Sequence, residues 1–188
     1  MYFMESFSFL PFKNLTSQRL LLRQITAADV NEIFALRSNV EVMKYVARPL
    51  CRNLDDAMAL IDMIEKKLRT NEGINWAITL KGNNILIGFI GHYRIKWEHF
   101  RSEIGYMISP NFQGKGIVTE AVKLVVDYGF NEMNMHSLEA VIDPKNTASS
   151  RVLEKNKFVK EAHYKENEFF DGRCLDSDIY SLLNTKIS

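Results

Sequence analysis

Cysteine is scarce. Only Cys51 and Cys174 occur in 188 residues, and no C-x-x-C pair is present. A disulfide framework or thiolate metal site needs more thiols at closer spacing. Two lone thiols imply packing roles in a reducing, cytoplasmic compartment. The histidines (His92, His99, His136, His163) lack H-E-x-x-H spacing, so no metal site is expected. The formal net charge is +1, which gives no broad footprint for direct nucleic-acid binding. No apolar run approaches the ~20 residues of a membrane span. Residues 1–12 are rich in aromatics (Phe3, Phe7, Phe9, Phe12), but they lack a basic start and Glu5 interrupts them. They make a poor signal peptide. They read instead as an arm packed on its own domain, with a second subunit as the alternative. No repeat, low-complexity stretch or linker is present.

What is present suits one domain. A hydrophobic share of 46% with 25% charged residues can build a real core. The reading is an apolar arm over 1–16 and a domain over 17–188. Leu20-Leu21-Leu22-Arg23 reads as a first strand. Thr26 with Asp29 resembles a capping box opening a helix. Residues 39–52 look irregular. Asn53 starts a second helix with Ala57, Leu60, Ile61, Ile64 and Leu68 as its apolar stripe. Strands are expected at 76–80, 85–94, 101–108 and 137–142. Gly88 and Gly91 mark a bulge or a close backbone approach. A short helix runs from Asn146 or Thr147 to Asn156, where Asn156 is read as a left-handed terminal residue. Two long strands flank the Asp171-Gly172 turn.

The organising stretch is residues 103–121. A strand ends before Pro110, and a helical period starts at Ile117 with Ala121, Leu124 and Tyr128 on one stripe. Between them Gln113-Gly114-Lys115-Gly116 puts two glycines and a cation where a helix begins. The free N–H groups and positive dipole there suit a phosphate. A plain tight turn is the alternative. The Walker spacing fails because Ser109 stands at the first glycine and Gly116 follows Lys115. The dinucleotide fingerprint fails at Thr119.

Gln113-x-x-Gly116-x-Val118 resembles the Q/R-x-x-G-x-G/A signature of the GCN5-related N-acetyltransferases (GNAT). Val118 departs from the usual Gly or Ala. The run Glu103-Ile104-Gly105-Tyr106 through Ile117, with Asn146-Thr147-Ala148-Ser149, is similar to the branch that acetylates ribosomal-protein N-termini. The resemblance covers about residues 17 to 183. It implies an α/β fold: a mixed, mostly antiparallel sheet of about seven strands flanked by about four helices, with a splayed central parallel pair. It implies acetyl-CoA as co-substrate, with main-chain groups of Met107, Ile108 and Ser109 on the pantetheine arm. Gln113, Gly114, Lys115, Gly116, Ile117 and Val118 would hold the pyrophosphate. Asn146 would be a helix cap, a pantetheine contact or both. Arg151 and Lys155 are solvated helix cations or contacts of the adenosine phosphate.

Acetyl transfer to an amine needs a held thioester, a deprotonated amine, a stabilised oxyanion and a protonated leaving group. It needs no covalent nucleophile. Ser149, in the N-x-x-S element, is the expected donor toward the leaving thiolate. Its ordinary role is a first-turn serine. Glu168 is the favoured base and Glu103 the runner-up, each otherwise a solvated strand residue. Period two puts Glu166, Glu168 and Phe170 on one face and Phe169 on the other. The acceptor expected is a protein N-terminal amine, with a small amine (amino acid, antibiotic or polyamine) as the alternative. A non-catalytic acyl-CoA-binding module is a third reading, and the failed loop spacings disfavour a nucleotide hydrolase. The chain is expected as monomer or homodimer.

Overall fold

A computed structural model of the chain describes residues 7–185; Phe3 and Glu5 lie outside that range. The strands are β1 (Leu15–Thr16), β2 (Leu20–Gln24), β3 (Ile74–Leu80), β4 (Asn83–Lys96), β5 (Arg101–Ile108), β6 (Ser137–Ile142), β7 (Val159–Phe170) and β8 (Arg173–Leu183). The helices are α1 (Val30–Arg37), α2 (Val40–Met43), α3 (Leu54–Arg69), α4 (Ile117–Asn131) and α5 (Thr147–Lys155). One sheet runs in the order β1-β2-β3-β4-β5-β6-β8-β7. All its pairs are antiparallel except β5 with β6. The α4 crossover makes that pair parallel, since parallel neighbours need a long connection.

The expected mixed sheet is therefore present, with eight strands where about seven were expected and five helices where about four were. The additional strand, β1, is two residues long and invisible to a periodicity argument. Within the stretch read as irregular, Asn39 caps α2 by accepting from the N–H groups of Glu41 and Val42. Asn53 caps α3 the same way, accepting from Asp56 N–H at 2.9 Å. Thr26 N–H donates to the Asp29 carboxylate at 2.9 Å, and Arg23 forks the same carboxylate at 2.6 and 2.9 Å. The turn it opens is a 3-10 turn before α1 begins. Val126 is buried in α4 as well, and Leu124 packs half-buried against the same core. One reading changes. Lys157 has the positive φ of 69° after α5, whereas Asn156 stays at −92°.

The sheet separates two cores. Helices α1 and α3 cover one face with Ile33, Leu36, Ile61 and Ile64 against Phe89 and Met107. Helices α4 and α5 cover the other with Val122, Val125 and Leu153 against Ile90, Ile104 and Leu138. Residues 7–13 pack on this second side. Phe9 is buried, Phe7 and Phe9 meet Trp97, and Phe12 meets Trp76. Asn71 pins them, accepting from Phe9 N–H at 3.0 Å and donating to the Phe7 carbonyl at 2.9 Å. A Cβ at Gly88 would collide with the Met107 carbonyl, and one at Gly91 with the Ile74 carbonyl. Both glycines mark close backbone approach, and only a hydrogen fits.

His92 ties sheet to helix. It is fully buried, with Nδ1 2.9 Å from Ser102 Oγ on β5 and Nε2 3.0 Å from the Val125 carbonyl on α4. A carbonyl can only accept, so Nε2 carries the proton and Nδ1 accepts from the serine. Burial pushes the imidazole down to about 4, although the Val125 carbonyl opposes this. The unfolded chain binds a proton near 6.5 that the folded one refuses until about 4. Stability should therefore be complete above pH 6.5 and fall as pH drops toward 4, by ~3 kcal/mol. Urea unfolding between pH 4 and 7 checks this. The slope in that window should flatten in His92→Gln, and an equal slope in both proteins would remove His92 as its source.

Candidate active site

β5 and β6 pair only from Arg101↔Ser137 to Glu103↔Glu139. Beyond that point each strand keeps only its outer partner. β5 continues along β4 to Gly88↔Ile108, and β6 continues along β8 to Ile142↔Asp178. The strands therefore fork, and the ion pair Arg101–Glu139 closes the joined end. Strand phase decides which groups the fork receives. Ser109 N–H donates to the Ile87 carbonyl at 2.8 Å, so Ser109 faces β4. Main-chain direction alternates along an antiparallel pair. Ile108 and Tyr106 thus turn their main-chain groups toward the fork, while Met107 turns its own toward β4. Of the three residues expected on a pantetheine arm, Ile108 alone has this orientation.

The turn after β5 is laid open. Residues 113–116 are exposed, Gly114 and Gly116 have φ of 70° and 74°, and Gly116 is the N-cap of α4. The N–H groups of Ile117, Val118 and Thr119 have no intrahelical carbonyl to meet. A Cβ at Gly114 would meet nothing within 4 Å. Glu120 in the first turn would repel a phosphate, but Arg19 pairs with it at 2.5 Å. Arg19 Nη1 also donates to the Lys115 carbonyl at 3.1 Å, which braces the turn. Lys115 Nζ sits 5.3 Å from the Phe112 ring centroid. Exposed donors, a helix dipole and a neutralised carboxylate fit a pyrophosphate, and the fork fits the pantetheine arm that continues from it.

The fork opens into a cleft of about 1040 Å³ lined by Glu103, Tyr106, Met107, Asn146, Ser149, Glu168 and Phe170, among others. Glu103 is the last paired residue of β5, and its carboxylate takes Arg94 Nη1 at 2.6 Å. Burial pushes the Glu103 carboxyl up from the ordinary value, and Arg94 opposes this. Glu168 meets Arg48 at 3.1 Å and is close enough to raise Glu103 further. Phe169 points to solvent while Phe170 lines the cleft, so the face that carries Glu168 and Phe170 turns inward. Glu166 breaks the parity. Its φ is 50° in a register shift between Tyr164 and Glu168, and its N–H donates to Asp176 at 2.9 Å.

Ser149 is buried, and its N–H donates to the Asn146 side chain at 3.1 Å. Asn146 is thus a true N-cap of α5. Ser149 Oγ lies 2.6 Å from the Tyr106 hydroxyl. Burial pushes the Tyr106 phenol up to about 12, although the bond to Ser149 opposes this, so it stays protonated at neutral pH. Tyr106 and Arg19 are partners that the sequence reading passed over. Tyr106 stood within the quoted strand, but nothing in its spacing announced a hydroxyl partner 43 residues away. Arg19 lies 96 residues from the carbonyl it holds.

Among the described residues no group of three or more His, Cys, Asp or Glu is arranged to hold a metal, and no helix is long and apolar enough to cross a membrane.

A β-sheet forked beside an exposed helix start suits a transferase that takes an extended thioester co-substrate. The chain belongs to the Acetyltransferase (GNAT) domain family, which matches residues 19–159. It is 34% identical over 175 residues to the uncharacterized N-acetyltransferase YoaA of Bacillus subtilis, covering 93% of this chain and 99% of that one. A GNAT acetyltransferase structure from Bacillus anthracis superposes with a TM-score of 0.82 at 29% identity, covering 91% and 98%. Spermidine N-acetyltransferase from Vibrio cholerae, solved with CoA and spermine, superposes at 0.79 with 26% identity, covering 90% and 98%. The protein is an N-acetyltransferase, and acetyl-CoA is its co-substrate.

Two tests follow. Gly116→Val forces a β-branched residue to a φ of 74°, at a cost of ~1–3 kcal/mol. Calorimetry should find CoA affinity reduced by about tenfold or more in the folded variant. Unchanged affinity would reject the turn as the pyrophosphate site. Tyr106→Phe and Ser149→Ala should each lower kcat by roughly ten- to a hundredfold with little change in CoA affinity. The double variant should be no worse than either single one, because the hydroxyls act as a pair. Additive losses would separate them.

Proposed function

We propose that the enzyme acetylates the α-amine at a protein N-terminus. The observation that carries this reading is that both glutamates of the cleft already hold an arginine, Glu103 with Arg94 and Glu168 with Arg48. A polyamine needs several uncompensated carboxylates along its length. This cleft balances Glu103, Asp143, Glu168, Asp171 and Asp176 with Arg37, Lys44, Arg48, Lys67, Arg94 and Arg173. A single amine on a chain of mixed polarity fits that lining better. The cleft is also open enough to admit an extended segment. The likeness to the branch acting on ribosomal-protein N-termini points the same way. The Vibrio cholerae relative, solved with spermine, supports the polyamine reading, which the test below includes.

In this reading the two proton transfers use opposite faces of β5. Successive side chains alternate, so Glu103 faces the α1–α3 side and Tyr106 the α4–α5 side. Glu103, directly or through one water, takes the proton of the acceptor ammonium. The nitrogen attacks the thioester carbonyl carbon, and the Ile108 N–H meets the charge that develops on its oxygen. The nitrogen, cationic once bonded to carbon, gives its second proton to water. The C–S bond breaks, and the sulfur takes a proton relayed from solvent through Ser149 and Tyr106. A phenol held near 12 is a weaker acid than a thiol near 8.5, so it does not end as phenolate: it passes a proton toward the sulfur only as it takes one from solvent hydronium.

The preference between the glutamates reverses from the sequence reading. Glu103 stands at the fork, and burial lifts its carboxyl. Glu168 is more exposed, at 40% of its side chain against 16%, and its place on the hairpin suits orienting the acceptor.

The test is thioester consumption with N-terminal peptides and with spermidine. Peptides should be the better acceptors, and turnover confined to spermidine rejects the reading. Glu103→Gln should lose roughly a hundredfold in kcat and keep CoA affinity. A base works deprotonated, so the wild-type rate should fall as pH drops through a value above the ordinary carboxylate range. That limb should vanish in Glu103→Gln and persist in Glu168→Gln, whose main defect should be a raised acceptor KM. The reverse pattern would restore Glu168 as base, and a limb that survives in both would mean that the amine is taken already neutral from solution.

A further inference from the structure

The two walls of the cleft differ in how their charges are used. On the strand wall the two glutamates hold arginines. On the helical wall a cation goes unanswered. Arg37 closes α1, half-buried in the lining of the cleft. Its Nε is buried with no hydrogen-bond partner. Nη1 donates to Met43 Sδ at 3.3 Å and Nη2 to the Pro49 carbonyl at 3.5 Å. A thioether is a weak acceptor, and 3.5 Å is the outer limit of a hydrogen bond. Among the described residues the cleft-lining carboxylates with an ion-pair partner are Glu168 with Arg48, Glu103 with Arg94 and Asp176 with His163, and Arg37 joins none of them. Its position in the last turn of α1 lets the helix dipole offset part of its charge. A guanidinium with five donors, drawn from water and left without an anion, is otherwise a costly arrangement.

Tyr93 connects the walls. Burial raises its phenol, Glu103 raises it further and Arg37 lowers it, so its ring stands within electrostatic reach of both. An acceptor whose amine meets Glu103 thus has a cation waiting further along the same cleft. Lys67 of α3 lines that wall too and also lacks an ion pair among the described residues.

We infer that Arg37 is a specificity residue that receives a carboxylate of the acceptor. The acceptor is then an amine that also carries an anionic group, which in a protein N-terminus means an acidic residue within the first few positions. This rests on the acceptor reading above and narrows it. A fork of N–H donors matches a carboxylate by two parallel bonds. It repels a polyamine, whose further ammonium groups would meet a like charge.

The experiment compares initial rates for three peptides that differ only at the second residue (Glu, Gln or Lys), for free glutamate, and for spermidine. Wild type should prefer the Glu peptide to the Gln peptide by about tenfold in kcat/KM, with the Lys peptide poorest. Arg37→Met should erase that preference by raising KM for the Glu peptide, with kcat and the acetyl-CoA KM unchanged. Arg37→Lys should restore part of it. Equal rates of wild type on all three peptides would overturn the inference and leave N-terminal acetylation standing. So would an equal loss for all three in Arg37→Met. Those peptide rates on wild type decide the point even if Arg37→Met folds poorly. Free glutamate as the best acceptor, with its advantage lost in Arg37→Met, would uphold the anion contact and replace the protein N-terminus by an amino acid. Turnover of spermidine alone would overturn both.

Discussion

The structure depends on one interruption: the hydrogen bonds between β5 and β6 stop at Glu103↔Glu139. A strand in the middle of a sheet must satisfy main-chain groups on both edges. β4 satisfies one edge of β5, with Gly88 and Gly91 allowing the backbones to close up. β8 satisfies the far edge of β6 through Ile142↔Asp178. With each outer edge secured, the inner edges can part without unravelling the sheet. The gap then offers strand-like groups, Ile108 foremost, to a substrate arm that can act as a missing strand.

That interruption also organises the charge. Because β5 alternates its side chains, a carboxylate lies on one face of the fork and a hydroxyl pair on the other. In the mechanism we propose, the two proton movements would be kept apart by the strand itself. Arg19 from β1–β2 reaches the α4 turn and neutralises Glu120. His92 fastens α4 to the sheet behind it. The start of α4 is therefore held from two sides by residues remote in sequence.

Local chemistry was legible wherever it sufficed. Asn53, Asn146 and Asp171-Gly172 did as caps and turn what their side chains and conformational preferences suggest: both turn residues have positive φ, and both asparagines accept from the helix they open. Legibility failed where a neighbour decided. Val126 is more deeply buried than Leu124 on α4 because the partner surface fixes the centre of the buried arc. Lys157 took the left-handed position in place of Asn156, since the sharp entry into Phe158 falls one residue later. Glu166 left the face it was assigned, because the hairpin shifts register around it.

The sequence by itself determined the order of all but the shortest elements, the glycine turn at a helix start, and the likeness to a family of acetyl-CoA enzymes. Those follow from periodicity, capping and backbone preference over short spans. Only the tertiary structure decided which carboxylate stands at the fork, that Tyr106 meets Ser149, that Ile108 rather than Met107 or Ser109 faces the gap, and that Arg37 lines the cleft without an ion pair. Each of these is a relation between elements dozens of residues apart, and it is set by strand phase and register. A single-residue slip in register reverses every side chain, and no local pattern in the sequence records it.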